Sequence, residues 1–216
     1  MGSSAEHFSR RFDVSRESRT RLEAYVELLL KWQKRINLIG PATVADVWQR
    51  HIADAAQLMA LIRPHVQQVV DLGSGGGIPG LAIAILLMEH RPNHQLVTVH
   101  LVESTGKKAA FLRQAVQRTG APALVHDCRI DALAQAGRLE RVDLVTARAL
   151  APLPKLLELA APWLRSGAYG LFHKGQDVDS ELTESAKSWR ITYTKHPSVV
   201  DPSGCILEVK EIGHVS

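Results

Sequence analysis

The chain has 216 residues, 45% hydrophobic and 22% charged, a balance that belongs to an ordinary water-soluble globule. The longest apolar run, Leu81 to Met88, is far too short to cross a bilayer, so no membrane partner is expected. A net charge of +4 leans toward a polyanionic partner. No charged-then-apolar leader is seen, and Cys128 and Cys205 make no disulfide framework, so a cytoplasmic location is expected.

The start, Met1-Gly2-Ser3-Ser4, reads as unstructured. From Ser15 to Ile36, Leu22, Tyr25, Val26, Leu29, Trp32 and Ile36 recur at helical spacing and predict an amphipathic helix. Gly40-Pro41 breaks it. A second helix is predicted from Val44 to Ile62, with Val47, Trp48, Ile52, Ala55, Met59 and Ile62 on one stripe and Pro64 ending it. Residues 1–64 are therefore expected to form a helical extension packed on a core of residues 65–216. In that core, strands are expected at Gln68–Leu72, Leu96–Glu103, Ala123–His126, Val142–Ala147 and Ala168–His173. Helices alternate with them at Pro79–Glu89, Ser104–Thr119, Ile130–Ala136 and Pro152–Leu164. Such alternation predicts an α/β, doubly wound, mostly parallel sheet. A short helix near Asp177–Lys187 and an antiparallel pair, Ile191–Lys195 and Ile206–Glu211, bring the sheet to seven strands.

The first strand runs into Asp71-Leu72-Gly73-Ser74-Gly75-Gly76-Gly77-Ile78-Pro79-Gly80, a loop whose glycines allow positive φ and close backbone approach to a ligand. Pro79 suits a first helical position. A strand, glycine loop and helix in this order place ligands at the carboxyl end of a parallel sheet. A phosphate-binding P-loop needs Gly-Lys-Ser/Thr, and no lysine follows before Lys107. A dinucleotide loop needs its third glycine where Ile78 stands; Gly75, Gly77 and Gly80 fit the spacing but start too far past Leu72. The layout suits S-adenosylmethionine better, with Asp71-x-Gly73-x-Gly75 beside the methionine part and Glu103, at the next strand's end, on the ribose hydroxyls. The plainer reading of Glu103 is that it only ends a strand. His90 and His94 lie four apart, but Pro92 between them argues against a helix presenting both to a metal, and no metal is expected.

Several separated segments together resemble one family. They are Trp32-Gln33-Lys34-Arg35-Ile36-Asn37-Leu38, Arg50-His51-Ile52-Ala53-Asp54, the loop at 69–80, and Glu103-Ser104-Thr105-Gly106-Lys107-Lys108 with Phe111-Leu112. Arg129-Ile130-Asp131, Thr146-Ala147-Arg148-Ala149 and Lys174-Gly175 follow in the same order. The match, from about residue 20 to 176, is similar to the bacterial small-subunit rRNA methyltransferase family RsmG, or GidB. The resemblance implies a Rossmann-like class I methyltransferase with an N-terminal helical extension. It implies methyl transfer from S-adenosylmethionine to N7 of a guanine, the family's position 527, in the decoding-region loop of 16S rRNA. The substrate would be 16S rRNA in the small subunit or an assembly intermediate, and the enzyme a monomer. Carried over by motif, Gly73, Ile78 and Glu103 contact the cofactor, Ile130 and Asp131 match the adenine-side segment, and Arg148 matches the arginine after the fourth strand. Departures are the three successive glycines at 75–77, Ala55 where a serine is usual, His173 before Lys174-Gly175, and no arginine near Gly204-Cys205.

The residues agree with N7 chemistry. Methylating C5 of a pyrimidine needs a cysteine nucleophile, usually after a proline; Cys128 follows Asp127 and Cys205 follows Gly204. Exocyclic amines usually meet an Asn/Asp-Pro-Pro-aromatic loop, and here the sequence is Ala147-Arg148-Ala149-Leu150. Guanine N7 carries a lone pair and no proton, so no general base is expected, and Arg148 is the only candidate catalytic residue. Its plainer reading is a structural ion pair. Asp71 and Asp54 are candidates to stabilise the cationic product. Alternatives are a methyltransferase of this core with another substrate, or a catalytically inactive RNA-binding relative. RNA would be held through phosphates, with Lys34, Arg35, Arg50, His51, Lys107, Lys108 and Lys174 as main candidates and Lys31 and Arg113 beside them. Trp32 and Trp48 fit core stripes. Charge reversal at both Lys107 and Lys108 is expected to weaken RNA binding in a filter assay and leave cofactor affinity unchanged; equal loss of both would refute the assignment.

Overall fold

Strand β1 (Gln68–Leu72) is buried from Val69 onward, as a central parallel strand covered on both faces must be. In this computed structural model, which describes residues 2–89, 97–137, 139 and 141–215, it is flanked by β2 (Thr98–Glu103) and β4 (Leu144–Arg148). With β3 (Ala123–Asp127) and β5 (Tyr169–Lys174) these form the parallel part of a seven-stranded sheet. A hairpin of β6 (Trp189–Pro197) and β7 (Cys205–His214) adds antiparallel to β5. The order is β3-β2-β1-β4-β5-β7-β6, so the winding reverses between β1 and β4. Ligands bind at that switch point, outside the carboxyl ends of the strands. In-register pairing brings Leu72, Glu103, Arg148 and Lys174 to that edge.

One face of the sheet carries α4 (Gly80–Leu87) and α5 (Gly106–Thr119); the other carries α6 (Ile130–Gln135), α7 (Leu153–Leu164) and α8 (Val178–Ser185). Every residue of α4 is buried. A helix apolar all round must be covered on all sides, and the N-terminal extension supplies the outer cover. Its α2 (Arg16–Gln33) buries Leu22, Tyr25, Val26 and Leu29 in one cluster with Ile83, Leu101 and Phe111 of the core. Ser15 caps α2 by accepting from the Ser18 amide at 3.2 Å. The helix stops at Gln33, short of Ile36, because the Gln33 side chain accepts from the Leu38 and Ile39 amides and donates to the Ile39 carbonyl.

Three expectations are corrected. The start is helical: α1 (Gly2–Arg11) buries Ala5 and Phe8, with the Phe8 ring 5.5 Å from that of Trp48. The second extension helix is broken into a short 3-10 turn at Pro41–Thr43, a π-helical turn at Trp48–Ile52, α3 (Ala53–Ala56) and a further 3-10 turn at Gln57–Ala60. The apolar stripe survives the break, with Val47, Trp48, Ile52 and Ala55 buried. Pro79 precedes α4 as its N-cap, its carbonyl accepting from the Ile83 amide at 3.0 Å. The expected strand start at Leu96, and His90 and His94, lie outside the described residues. None of the described helices is long and apolar enough to cross a membrane.

On β2, His100 is buried between Gln68 and His126. Its Nε2 donates to Gln68 Oε1 at 2.9 Å, and its Nδ1 lies 2.9 Å from His126 Nε2. Burial, then the neighbouring His126, lowers its pKa from 6.5 to about 4. The folded state refuses a proton that the unfolded chain accepts. Its stability contribution is therefore complete above pH 6.5 and is lost as pH falls toward 4. His100→Gln is expected to flatten the fall in melting temperature between pH 7 and pH 5; an unchanged slope would show that His100 does not carry it.

Candidate functional site

Gly73, Gly75 and Gly77 take φ of +68°, +54° and +84°, so the loop after β1 folds through conformations that L side chains rarely adopt. A Cβ on Gly73 would lie 2.5 Å from Leu150 Cδ1. Beneath the loop, Asp71 is fully buried and accepts from Thr146 Oγ1 at 2.7 Å across the switch point. The Gly80 amide faces its Oδ2 without completing a hydrogen bond. Burial pushes the Asp71 carboxyl up to about 6 despite the Thr146 bond, with the charge of Glu103 adding to the rise. From the extension, the buried Tyr25 hydroxyl donates to the Gly76 carbonyl, and burial followed by the charge of Asp71 pushes its phenol far above the usual range.

The loop forms one wall of a cavity of about 390 Å³. Gly73, Gly75, Glu103, Ile130 and Asp131, all singled out from the sequence, line it together with Lys108, Ala149 and Leu150. Glu103 accepts from the Gly75 amide at 2.9 Å and from the Thr105 amide at 2.7 Å, which leaves a lone pair on each oxygen for a hydroxyl donor. Backbone close enough for a ligand and a strand-end carboxylate suit a phosphate-free nucleoside. Asp131 is exposed and held by Arg129 at 3.0 Å. Ile78 and Asp71 do not line this cavity: Ile78 packs into the core, and Asp71 stands behind the loop as its support.

A second cavity of about 450 Å³ adjoins the first, and the two share Ala149 and Leu150. Ala149 has φ +50°, a strained conformation for a residue with a side chain. Arg148 lines this second cavity and not the first. Its Nε pairs with Asp54 Oδ2 at 2.8 Å, Nη1 donates to His51 Nδ1 at 2.7 Å, and Nη2 donates to the Arg50 carbonyl at 3.2 Å. Those partners come from the π-helical turn and α3 of the extension. Burial, then the Arg148 and Arg50 charges, lowers His51 to about 4, so it stays neutral. Burial also lowers His173, whose Nε2 donates to the Asp54 carbonyl at 2.8 Å.

Two residues expected on an RNA-facing surface are turned inward. His51 is 5% exposed, held between Arg148 and Thr43 Oγ1. The Lys174 side chain is 8% exposed and paired with Glu181 Oε2 at 2.5 Å on the wall of the second cavity. Lys34, Arg35 and Lys107, with Lys31, surround a cavity of about 400 Å³ that also exposes Trp32 and Ile36. Arg50 is exposed, while Arg113 is spent on Asp127 at 3.0 Å. Lys108 faces the glycine-loop cavity, so it and Lys107 serve different cavities. Tyr25, Thr146, Leu150 and Glu181 were missed from the sequence. Tyr25 reads there as one more stripe residue, and Glu181 as one more helix-surface carboxylate. Among the described residues, no group of three or more His, Cys, Asp or Glu could hold a metal.

Residues 18–205 match the family model for rRNA small subunit methyltransferase G, GidB. The chain is 47% identical over 207 residues to the ribosomal RNA small subunit methyltransferase G of Rhodospirillum rubrum, covering 96% of this chain and 97% of that protein. It is 48% identical to the protein of the same name from Paramagnetospirillum magneticum, covering 92% and 91%. Among solved structures it is similar to an O-methyltransferase from Bacillus cereus in complex with SAH, at TM-score 0.57 and 14% identity, over 87% of this chain and 90% of that one. It is likewise similar to M. capricolum TrmK, at TM-score 0.53 and 14% identity, over 73% and 67%. At those identities the structures speak for the fold.

Asp71→Asn removes the buried charge. A carboxyl raised from 3.8 to about 6 contributes stability that is present below the ordinary carboxyl range and lost as pH rises through 6. The difference in stability between the variant and the unaltered protein is expected to shift in the variant's favour by about 2 kcal/mol between pH 4 and pH 8. Denaturant melts at the two pH values measure it, and a difference independent of pH would mean that burial does not raise the Asp71 carboxyl in the fold.

Proposed function

The chain belongs to the rRNA small subunit methyltransferase G family and is an S-adenosylmethionine-dependent methyltransferase of 16S rRNA, and we propose that its acceptor is N7 of a guanine in the decoding-region loop. One observation carries this reading: the two cavities meet at Ala149 and Leu150, so a donor held in one faces an acceptor held in the other. Residues 1–64 act as a helical extension of the methyltransferase core, and the enzyme works as a monomer.

S-adenosylmethionine supplies a methyl group on a positively charged sulfur. In our reading Gly73 and Gly75 approach its amino-acid part, Glu103 accepts from the ribose hydroxyls, and Ile130 and Asp131 line the adenine end. Asp71 acts through the loop it supports. Displacement at a methyl group is an in-line reaction, so alignment supplies most of the rate. Guanine N7 attacks with its own lone pair and loses no proton, so the second cavity needs no base. Cys205 lines that cavity, but burial raises its thiol, which keeps it protonated and unsuited to act as a nucleophile. The methylated ring carries a positive charge, which the carboxylates of Asp54 and Asp201 on the cavity wall offset. Arg148 orients Asp54 and stays clear of the reacting atoms. Lys108 holds a phosphate at the glycine-loop cavity, and Lys34, Arg35, Lys107 and Arg50 hold phosphates of the RNA beyond the two cavities.

The test incubates small subunits from cells lacking the family's enzyme with this protein and methyl-labelled S-adenosylmethionine. The rRNA is then cleaved chemically at 7-methylguanine and the break mapped. A single labelled break in the decoding-region loop is expected. Label at another atom or position would overturn the acceptor, and no label on a subunit that binds the protein would overturn the reaction.

A further inference from the structure

A wall of the acceptor cavity away from the glycine loop carries a charged pair for which the methyl-transfer reading has no use. Lys174 ends β5 and Glu181 lies on α8, and their contact of 2.5 Å is largely shielded from water, with side chains 8% and 22% exposed. Such a pair stabilises a fold little, because desolvating both charges offsets their attraction. Glu181 Oε2 is engaged twice, in the ion pair with Lys174 Nζ and by accepting from the Leu153 amide at 2.6 Å. Among the described residues its Oε1 has no hydrogen-bond partner, and Lys174 Nζ, beyond its long contact of 3.4 Å to the Ala151 carbonyl, keeps a donor to spare. The cavity therefore presents an ammonium donor and a carboxylate acceptor side by side.

Resting on the reading that a guanine enters this cavity, we propose that Lys174 and Glu181 select guanine by its Watson–Crick edge. Lys174 donates to O6, and Glu181 accepts from N1–H and the 2-amino group. The opposite edges match only for guanine. Adenine would set its 6-amino donor against the ammonium and its unprotonated N1 against the carboxylate, leaving the spare Lys174 donor and Glu181 Oε1 without partners, and such sites discriminate strongly. The geometry is also consistent with the chemistry. N7 lies on the ring edge away from N1 and the 2-amino group, so a base gripped by Lys174 and Glu181 points N7 back toward the wall shared with the glycine-loop cavity. Asp54 is already neutralised by Arg148 at 2.8 Å and, among the described residues, has no ammonium donor beside it to match O6.

The test uses small subunits reconstituted with 16S rRNA carrying guanosine or inosine at the target position; inosine lacks only the 2-amino group. The unaltered protein should methylate the inosine substrate at least about tenfold less efficiently in kcat/KM. Glu181→Gln preserves shape and the acceptor for the Leu153 amide. It should lower kcat/KM on guanosine while shrinking the guanosine-to-inosine ratio toward one, with cofactor affinity unchanged. Lys174→Met should lower activity on both substrates and leave their ratio intact. A merely structural pair would lower both rates of Glu181→Gln in proportion and keep the ratio of the unaltered protein, which overturns the proposal alone. Failure of the unaltered protein to methylate N7 of the guanosine substrate would overturn the underlying reading as well.

Discussion

A guanidinium taken largely out of water must find partners, and for Arg148 every one of them comes from the N-terminal extension. The arginine leaves the carboxyl end of β4, at the switch point, and spreads its fork over Asp54, the neutral ring of His51 and the carbonyl of Arg50. Without the extension this charge would stand unpaired beside the acceptor cavity, a loss of several kcal/mol in comparable cases. The π-helical turn is tied to β4 by the same contact, since its Arg50 carbonyl accepts from Arg148. Burial lowers both Arg148 and His51, and the arrangement holds because Asp54 answers the arginine while His51 remains unprotonated.

The glycine loop is fastened in the same manner, from behind and from the side. Asp71 accepts from Thr146 of β4, and Tyr25 of α2 donates to Gly76, so both partner elements adjoin the switch point. Leu150 closes over Gly73, where any Cβ would collide with it. Strain at Ala149 sits at the wall common to the two cavities, where a few strained residues held by their surroundings are expected in a site that must align two reactants.

Most of the sheet was legible in the sequence because its strands are short apolar runs between turn-forming residues, and Gln68–Leu72 was read to the residue. Glu103 and the glycines were legible for the same reason: a strand end and an αL turn are local features. What escaped depended on contacts between distant segments. The helix expected from Val44 to Ile62 keeps its apolar stripe yet breaks, because the pattern records burial and not the hydrogen bonds that Arg148 draws from its turn. Lys174 and His51 read as surface groups in a basic protein, and only tertiary pairing with Glu181 and Arg148 turns them inward. Phe8 likewise finds its burial against distant residues, with the ring of Trp48, forty residues on, 5.5 Å away.

Helix α4, apolar on every side, lies between the sheet and the extension. During synthesis α2 leaves the ribosome before α4 does, so the cover is present when the apolar helix appears. A chain built in the reverse order would expose that helix while awaiting its partner, and exposed apolar segments of that kind drive aggregation. The extension is thus a companion to the nascent core as well as a part of the finished one. A circular permutant that moved it to the C-terminus could keep every native contact and still be harder to produce in soluble form.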